Sequence, residues 1–200
     1  LQHYAAALLD YGVLFFRSRA TISQRIKLTL PKEFKQAQQN HRPIILLLGH
    51  STWLEFAPLA LGLEYPAYGS YKPFSNPISY WLITRSRLKD VDFVIAREDG
   101  LLRLVRALTP ERLLIFLPDE DLGNNASVFV PFMGQTKATL TTPARIAQIT
   151  QAICFPTMAF FDTSTGQYDI RVGSPLIPYP SHSSEADAEL MNSALEQLIH

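Results

Sequence analysis

Cysteine is scarce in this sequence, whose 200 residues include a single one, Cys154. One cysteine excludes a disulfide framework and any zinc or iron–sulfur site that several cysteines would hold. It also favours a reducing compartment, where the glycosylation sequon Asn125-Ala126-Ser127 has no consequence. Because Cys154 lies in an apolar run, 152–155, we expect its thiol to be buried and unreactive.

Long hydrophobic runs and nucleotide-binding motifs are also missing. Apolar stretches such as Tyr11–Phe16 and Ile44–Leu48 are far shorter than the roughly 20 residues of a membrane-spanning helix, and nothing resembles a signal peptide. The sequence starts at Leu1, which leaves room for a preceding segment such as a membrane anchor. Neither a P-loop nor a G-x-G-x-x-G motif occurs, so we expect no nucleotide cofactor, and no other cofactor is indicated.

Neither sign of charge is in excess, because 18 basic residues balance 18 acidic ones. This balance argues against a nucleic-acid-binding protein with a broad basic surface. The first half of the chain nevertheless carries a basic surplus, and much of it lies in residues 17–35, opposed there by Glu33 alone. Such a segment is typical of a solvated helix face, or of a surface that meets an anionic membrane or an acidic carrier protein. Its basic residues are Arg17, Arg19, Arg25, Lys27, Lys32 and Lys35.

What the sequence does contain is an alternation of short apolar runs and helix-compatible segments. It predicts strands at 43–49, 66–70, 91–96 and 112–117, with helices at 52–62, 77–88 and 98–109 between them. Repeated strand–helix units indicate an α/β fold with a mostly parallel central sheet flanked by helices.

The flanking segments complete one predicted domain, 1–200. Helices at 4–19 and 21–40, the second broken near Pro31, form a helical and membrane-proximal part over 1–40, and 43–200 is the α/β part. After the alternating region we expect an extended segment at 128–132, a helix at 139–150, a hairpin of 154–161 with 168–172, a loop at 174–184 and a last helix. The inner side of that helix is predicted to carry Ala188, Leu190, Met191, Leu195, Leu198 and Ile199.

The segment after the strand at 43–49 holds the most informative pair, His50 and Glu55. A neutral imidazole can take a hydroxyl proton while a carboxylate holds its other ring nitrogen. On one regular helix these side chains would diverge by about 140° at 100° per residue. They meet only if His50 lies in the strand-to-helix turn and Glu55 in the first helical turns, and the cap candidates Ser51 and Thr52 predict that arrangement. A purely structural histidine at a strand end is the alternative.

Two other enzyme classes deserve comparison. A serine hydrolase would use Gly49-His50-Ser51 as a nucleophile elbow, but Trp53 stands where the motif G-x-S-x-G requires glycine. A metal-dependent glycosyltransferase would place a divalent cation on Asp119 and Asp121. The simpler interpretation is that Asp119 caps a turn and pairs with a nearby arginine, and we predict no metal site. A non-catalytic membrane-binding domain is a further alternative.

Several motifs follow His50 and Glu55 in a fixed order, and together they are much more specific than any one alone. They are Tyr71-Lys72-Pro73 with Asn76, Thr84-Arg85 with Arg87, Arg97, Pro118-Asp119 with Asp121 and Gly123, and Phe129-Val130-Pro131-Phe132. In this order the chain resembles the late acyltransferases of bacterial lipid A biosynthesis, within the lysophospholipid acyltransferase superfamily. The resemblance covers about residues 45–195. The family usually continues past the last helix into an aromatic and arginine-rich tail, whereas this sequence stops at His200.

The resemblance implies an acyltransferase that moves a fatty acyl chain from an acyl carrier protein thioester to a hydroxyl of a lipid A precursor. It implies His50 as the base and Glu55 as its orienting partner. It also implies that the enzyme acts at the cytoplasmic face of the inner membrane. A glycerophospholipid or another glycolipid is the alternative acceptor, and coenzyme A the alternative donor. Substrate-binding residues carried over from the family are Tyr71, Lys72, Asn76, Arg85, Arg87, Arg97, Asp119 and Asp121.

Among the arginines, position ranks Arg97 first. It opens the helix after a strand, so we expect it at the same edge of the sheet as His50, where helix N-terminal amides also attract anions. Arg85 and Arg87 stand near the end of a predicted helix, which normally faces the opposite edge. All three are suited to bidentate contacts with phosphate groups of the acceptor or of the donor's pantetheine arm.

Overall fold

The computed structural model describes residues 18–71, 84, 85, 88, 91–96, 100–119 and 126–199. The predicted helices at 4–19 and 77–88 lie almost wholly outside these ranges. The described helices are α1 Arg19–Ser23, α2 Lys32–Gln39, α3 Phe56–Glu64, α4 Leu101–Ala107, α5 Thr142–Thr150 and α6 Ser184–Ile199. The strands are β1 Ile26–Thr29, β2 Ile44–Leu48, β3 Ala67–Tyr71, β4 Phe93–Ala96, β5 Leu113–Phe116, β6 Ser127–Phe132, β7 Gln135–Leu140, β8 Ile153–Asp162 and β9 Gln167–Val172.

Seven strands form one mixed sheet in the order β1-β9-β8-β2-β5-β3-β4. Neighbouring strands run parallel throughout, except for the antiparallel pair of β8 and β9. The predicted α/β fold with a mostly parallel sheet is therefore confirmed, and so is the predicted hairpin at 154–172. Strands β6 and β7 form a separate antiparallel pair.

The sheet is covered on both faces at strand β2, because all five side chains of this strand are buried. Alternate residues enter different cores: Ile44, Leu46 and Leu48 pack on one side and Ile45 and Leu47 on the other. The first core also takes buried side chains from α2 and α3, and the second takes them from α4, α5 and α6. Burial of each such aliphatic side chain contributes about 1.5–3 kcal/mol.

The predicted helix at 21–40 is wrong over its middle, where β1 pairs in parallel with β9. Ile26 and Leu28 are half-buried while Lys27 and Thr29 are exposed, which is the period-2 pattern of a strand. Arg25 fixes this strand, because its Nε donates to the carbonyl of Gly166 at 3.0 Å and its guanidinium lies 5.3 Å from the Tyr168 ring centre. One basic residue of the 17–35 stretch therefore has a structural contact.

The prediction for 139–150 placed the start of the helix too early, because residues 139 and 140 belong to β7. The turn between β6 and β7 uses positive φ angles at Met133, 52°, and Gly134, 75°. Adjacent positive φ angles suit the tight turn of an antiparallel pair. Helix α5 begins only at Thr142, where Pro143 occupies the first turn.

Hydrogen bonds attach helix α6 to the hairpin of β6 and β7. Asn192, buried in α6, donates from Nδ2 to the carbonyl of Pro131 at 2.9 Å and to Oγ1 of Thr139 at 3.0 Å. The amide of Met133 donates to the Glu196 carboxylate. A single side chain thus joins α6 to both strands of the hairpin.

The apolar face of α6 was predicted in part. Ala188, Met191 and Leu195 are buried as expected. Leu190 and Leu198 are only half-buried, and Ile199 is 37% exposed.

None of the helices in the described residues is both long and apolar enough to cross a membrane.

Candidate active site

The site is built where two neighbouring parallel strands end. In the register of β2 and β5, Leu47 stands opposite Phe116. His50 and Asp119 each follow that register pair by three residues, so both leave the sheet at its carboxyl edge, side by side. This edge is where parallel α/β sheets bind ligands.

Asp119 holds His50 at two points. Its Oδ2 accepts the backbone N–H of His50 at 2.7 Å, and its Oδ1 lies 2.5 Å from Nδ1 of the same residue. The Asp119 side chain is 8% exposed, whereas that of His50 is 41% exposed. The carboxylate is therefore part of the protein interior, and the imidazole it holds is open to a substrate.

The electrostatics favour the ionised form of Asp119. Burial raises the pKa of the carboxyl and is the largest single effect, but the hydrogen bonds from the ring and backbone of His50 and the charges of His50 and Lys137 together lower it by more. The net effect is a pKa below the ordinary value of 3.8. Among the described residues, Asp119 is hydrogen-bonded to His50. The expected pairing of Asp119 with an arginine stays a prediction.

Glu55 lies just before the helix, whereas the sequence predicts it in the first helical turns. It is the last residue before α3, with φ −66° and ψ −15°, and His50 lies in the turn between β2 and that helix. The carboxylate bonded to Nδ1 nevertheless belongs to Asp119. The orienting role of Glu55 stays a prediction.

The cap candidates of the sequence do not cap α3. Ser51 Oγ accepts the backbone N–H of Trp53 at 3.3 Å, but the helix starts only at Phe56 and Thr52 lies in the preceding turn. Ser51 thus stabilises the turn after His50 and not the helix end.

Trp53 fills the place where a nucleophile elbow needs glycine, and it is a core residue. It is 8% exposed, and its ring centre lies 5.0 Å from that of Phe161 and 5.9 Å from that of Tyr168. Gly49 is closely packed, because a Cβ at this position would overlap the Met158 sulfur and that side chain would have to move. The buried Trp53 argues against a nucleophile elbow at Ser51, because that motif needs glycine at position 53.

The family model of the bacterial lipid A biosynthesis acyltransferases matches residues 1–200. The chain belongs to this family. Among curated relatives, a lipid A biosynthesis acyltransferase of Haemophilus influenzae is 26% identical over 98% of this chain and 61% of its own length. The lipid A biosynthesis lauroyltransferase and palmitoleoyltransferase of Escherichia coli are 27% and 25% identical, each over 96% of this chain and 63% of its own length. The chain thus spans about three-fifths of these relatives.

Membership of the lipid A acyltransferase family confirms the resemblance that the motifs indicate. Three of the predicted substrate-binding residues lie within the described ranges: Tyr71, Arg85 and Asp119. Tyr71 ends β3 and so reaches the same edge as His50, since β3 is parallel to β5. Arg85 is exposed. The remaining predicted substrate-binding residues lie outside the described residues: Lys72, Asn76, Arg87, Arg97 and Asp121.

Lys137, a residue that the motifs did not single out, acts on the candidate site through its charge. It lies in β7 opposite Val130, its Nζ is 5.0 Å from the Phe132 ring centre, and its charge lowers the pKa of Asp119. The signal available in the sequence was the Met133-Gly134 turn, which folds residues 135–140 back along β6. Within the described ranges, no group of three or more His, Cys, Asp or Glu side chains could hold a metal ion.

Proposed function

We propose that this chain forms an acyltransferase domain that moves a fatty acyl chain from an acyl carrier protein thioester to a hydroxyl of a lipid A precursor. The observation that supports it most directly is the exposed His50 imidazole, held through Nδ1 at the carboxyl edge of the sheet. Family membership supports the same chemistry. The names of the relatives support a lipid A precursor as the acceptor.

The proposed reaction needs a base and no covalent nucleophile on the protein. Nε2 of His50 takes the proton of the acceptor hydroxyl while its oxygen attacks the thioester carbonyl. The tetrahedral intermediate then loses the carrier thiolate as the carbon–sulfur bond breaks, and that thiolate takes the proton from His50. The products are the acylated lipid and the free carrier thiol.

Substrate binding is proposed for the residues that the family motifs identify. Arg85, Arg87 and Arg97, with Tyr71, Lys72, Asn76 and Asp121, would hold phosphate and sugar groups of the acceptor or the pantetheine arm of the donor. The basic stretch 17–35, in which Lys27, Lys32 and Lys35 are exposed, would face the anionic inner membrane at its cytoplasmic side.

The test is direct product analysis. The protein is incubated with acyl carrier protein thioesters of graded chain length and a lipid A precursor, and the lipids are weighed by mass spectrometry. A mass gain of one acyl chain on the precursor is expected. Products formed only with a lysophospholipid, or only from coenzyme A thioesters, would overturn the assigned acceptor or donor.

His50 is tested in the same assay. His50→Ala should lower turnover by about 10²–10⁴-fold, the usual contribution of a general base. His182→Ala is the matched control, since His182 is an exposed histidine in the loop before α6. Near-full turnover of His50→Ala would refute the mechanism, and Ser51→Ala losing activity instead would favour a hydrolase-type nucleophile.

A further inference from the structure

We propose that the outer surface of α4 and α5 is the docking surface for the acyl carrier protein that brings the thioester. This arginine surface consists of Leu102, Arg103, Arg106, Arg145 and Ile149, all of them exposed. The identity of the carrier as the partner rests on the proposed function. Binding of the carrier can nevertheless be measured without any acyl transfer.

The two helices lie side by side on one face of the sheet. They pack against each other, and their inward side chains Leu104, Ile146 and Ala147 enter the same core. The exposed residues of both helices therefore share one outer surface. On it Leu102 is 65% exposed and Ile149 56% exposed. Arginine beside exposed apolar side chains is typical of a surface that binds another protein.

The charge of this surface has one sign. Every charged residue of α4 and α5 is an arginine, namely Arg103, Arg106 and Arg145. In the described part of the chain, neither Arg106 nor Arg145 takes part in a salt bridge. Arg112, which lies beyond the end of α4, is in contrast paired with Asp92 at 2.9 Å. The charges of Arg106 and Arg145 are therefore available to an acidic protein, which they would also steer toward this face.

The arginine surface extends toward the edge of the sheet that carries His50. Helix α4 leads into β5 and α5 into β8, and both strands run parallel to β2. Each helix therefore ends at the amino edge, and its first turn lies toward the carboxyl edge. Arg103 and Arg145 both stand in the first turns of their helices. A carrier bound to them would present its pantetheine arm on the side where the imidazole is open to substrate.

A membrane is the competing partner for a basic surface. The basic stretch 17–35, proposed to face the membrane, includes Lys32 and Lys35 of α2, and α2 packs on the opposite face of the sheet. A flat membrane cannot lie against both faces at once, because the sheet and its two helical layers separate them. The arginine surface is therefore left for a partner in solution, and an acidic carrier protein is the one that the proposed reaction requires.

The experiment measures binding of a dye-labelled holo-acyl carrier protein by fluorescence anisotropy, with no acceptor lipid present. Arg106→Gln combined with Arg145→Gln should raise Kd by about 5–30-fold at low ionic strength, and the difference should shrink as salt is added. Gln36→Glu combined with Gln39→Glu is the matched control, because it lowers the net charge by the same amount at exposed positions of α2. This control should leave Kd within about twofold of the unaltered protein.

Cross-linking locates the carrier independently of affinity. Because Cys154 is 1% exposed, Ile149→Cys provides an accessible thiol that can carry a benzophenone group. We expect illumination to link this group to the carrier. The same group at Gln39→Cys, on the opposite face of the sheet, should give no such product.

Several results would overturn the proposal. Unchanged carrier binding by the double arginine variant is one, and equal weakening by the α2 control is another. A third is an arginine variant that keeps the carrier but no longer sediments with phosphatidylglycerol vesicles, because the surface would then be a membrane contact. If the arginine variant does not fold, the cross-link from position 149 still decides. Absence of acyl transfer would refute the proposed function and leave the binding result standing.

Discussion

Removing the Asn192 side chain should weaken the attachment of α6 to the hairpin of β6 and β7. Asn192 donates two hydrogen bonds from a buried position, to the Pro131 carbonyl and the Thr139 hydroxyl. Each such bond contributes about 0.5–1.5 kcal/mol, and the Thr139 hydroxyl stays on a buried residue after the change, whereas Pro131 is exposed. Alanine is the better helix former by up to about 0.7 kcal/mol, which offsets part of the loss. We expect Asn192→Ala to lower the free energy of unfolding by about 1.5–3 kcal/mol.

The measurement is urea unfolding followed by circular dichroism, with thermal unfolding beside it. For a chain of this length each kcal/mol lowers Tm by about 2–4 °C, so a fall of about 3–12 °C is expected. Ser193→Ala is the matched control, because Ser193 is the adjacent and exposed residue of the same helix. It should be neutral or slightly stabilising.

A double-mutant cycle with Thr139→Val separates the two bonds. If Asn192 and Thr139 contact each other as described, the double variant should lose less stability than the two single variants together, by about 0.5–1.5 kcal/mol. Additive losses would contradict that contact. If the free energies of unfolding of Asn192→Ala and the Ser193→Ala control differ by less than about 0.5 kcal/mol, the stabilising role of Asn192 is refuted.

Two further predictions concern titration and thiol reactivity. The folded pKa of Asp119 lies below its ordinary value of 3.8, so its ionisation stabilises the fold above that value and this contribution is lost as pH falls through the folded pKa. The difference in unfolding free energy between the unaltered protein and Asp119→Asn should therefore decrease between about pH 5 and pH 3, and a difference that is constant over this range would be evidence against the effect. Cys154 is 1% exposed and burial raises the pKa of its thiol, so a disulfide reagent should label it only in denaturant. Rapid labelling of the native protein would show that β8 opens locally.

The sequence predicted best those strands and helices whose residue pattern can be recognised within a short stretch of the chain. Strand β2 was recognisable because five branched apolar residues stand between Pro43 and Gly49. Strand β1 was missed because Ile26-Lys27-Leu28-Thr29 lies among basic residues that favoured a helical interpretation. Its four residues form a strand because β9 offers a parallel edge to pair with, which no local pattern reveals.

The same distinction applies to the site. His50 was predicted in a strand-to-helix turn from the strand before Gly49 and the cap candidates Ser51 and Thr52. The structure places it in that turn, although neither candidate caps α3. The contact with Asp119 joins residues 69 positions apart and requires β5 to lie beside β2. Sheet order is a property of the whole chain, so the motif could indicate that Asp119 matters without indicating its partner.

The equal spacing of His50 and Asp119 beyond Leu47 and Phe116 determines which changes this edge of the sheet can accept. Leu117 and Pro118 lie after β5, in the short connection that carries Asp119 to His50. We expect one residue inserted there to displace the carboxylate from the two N–H groups of His50, whereas a substitution at Leu117 keeps the spacing. The lengths of these two loops are therefore a stricter requirement than the identities of the residues within them.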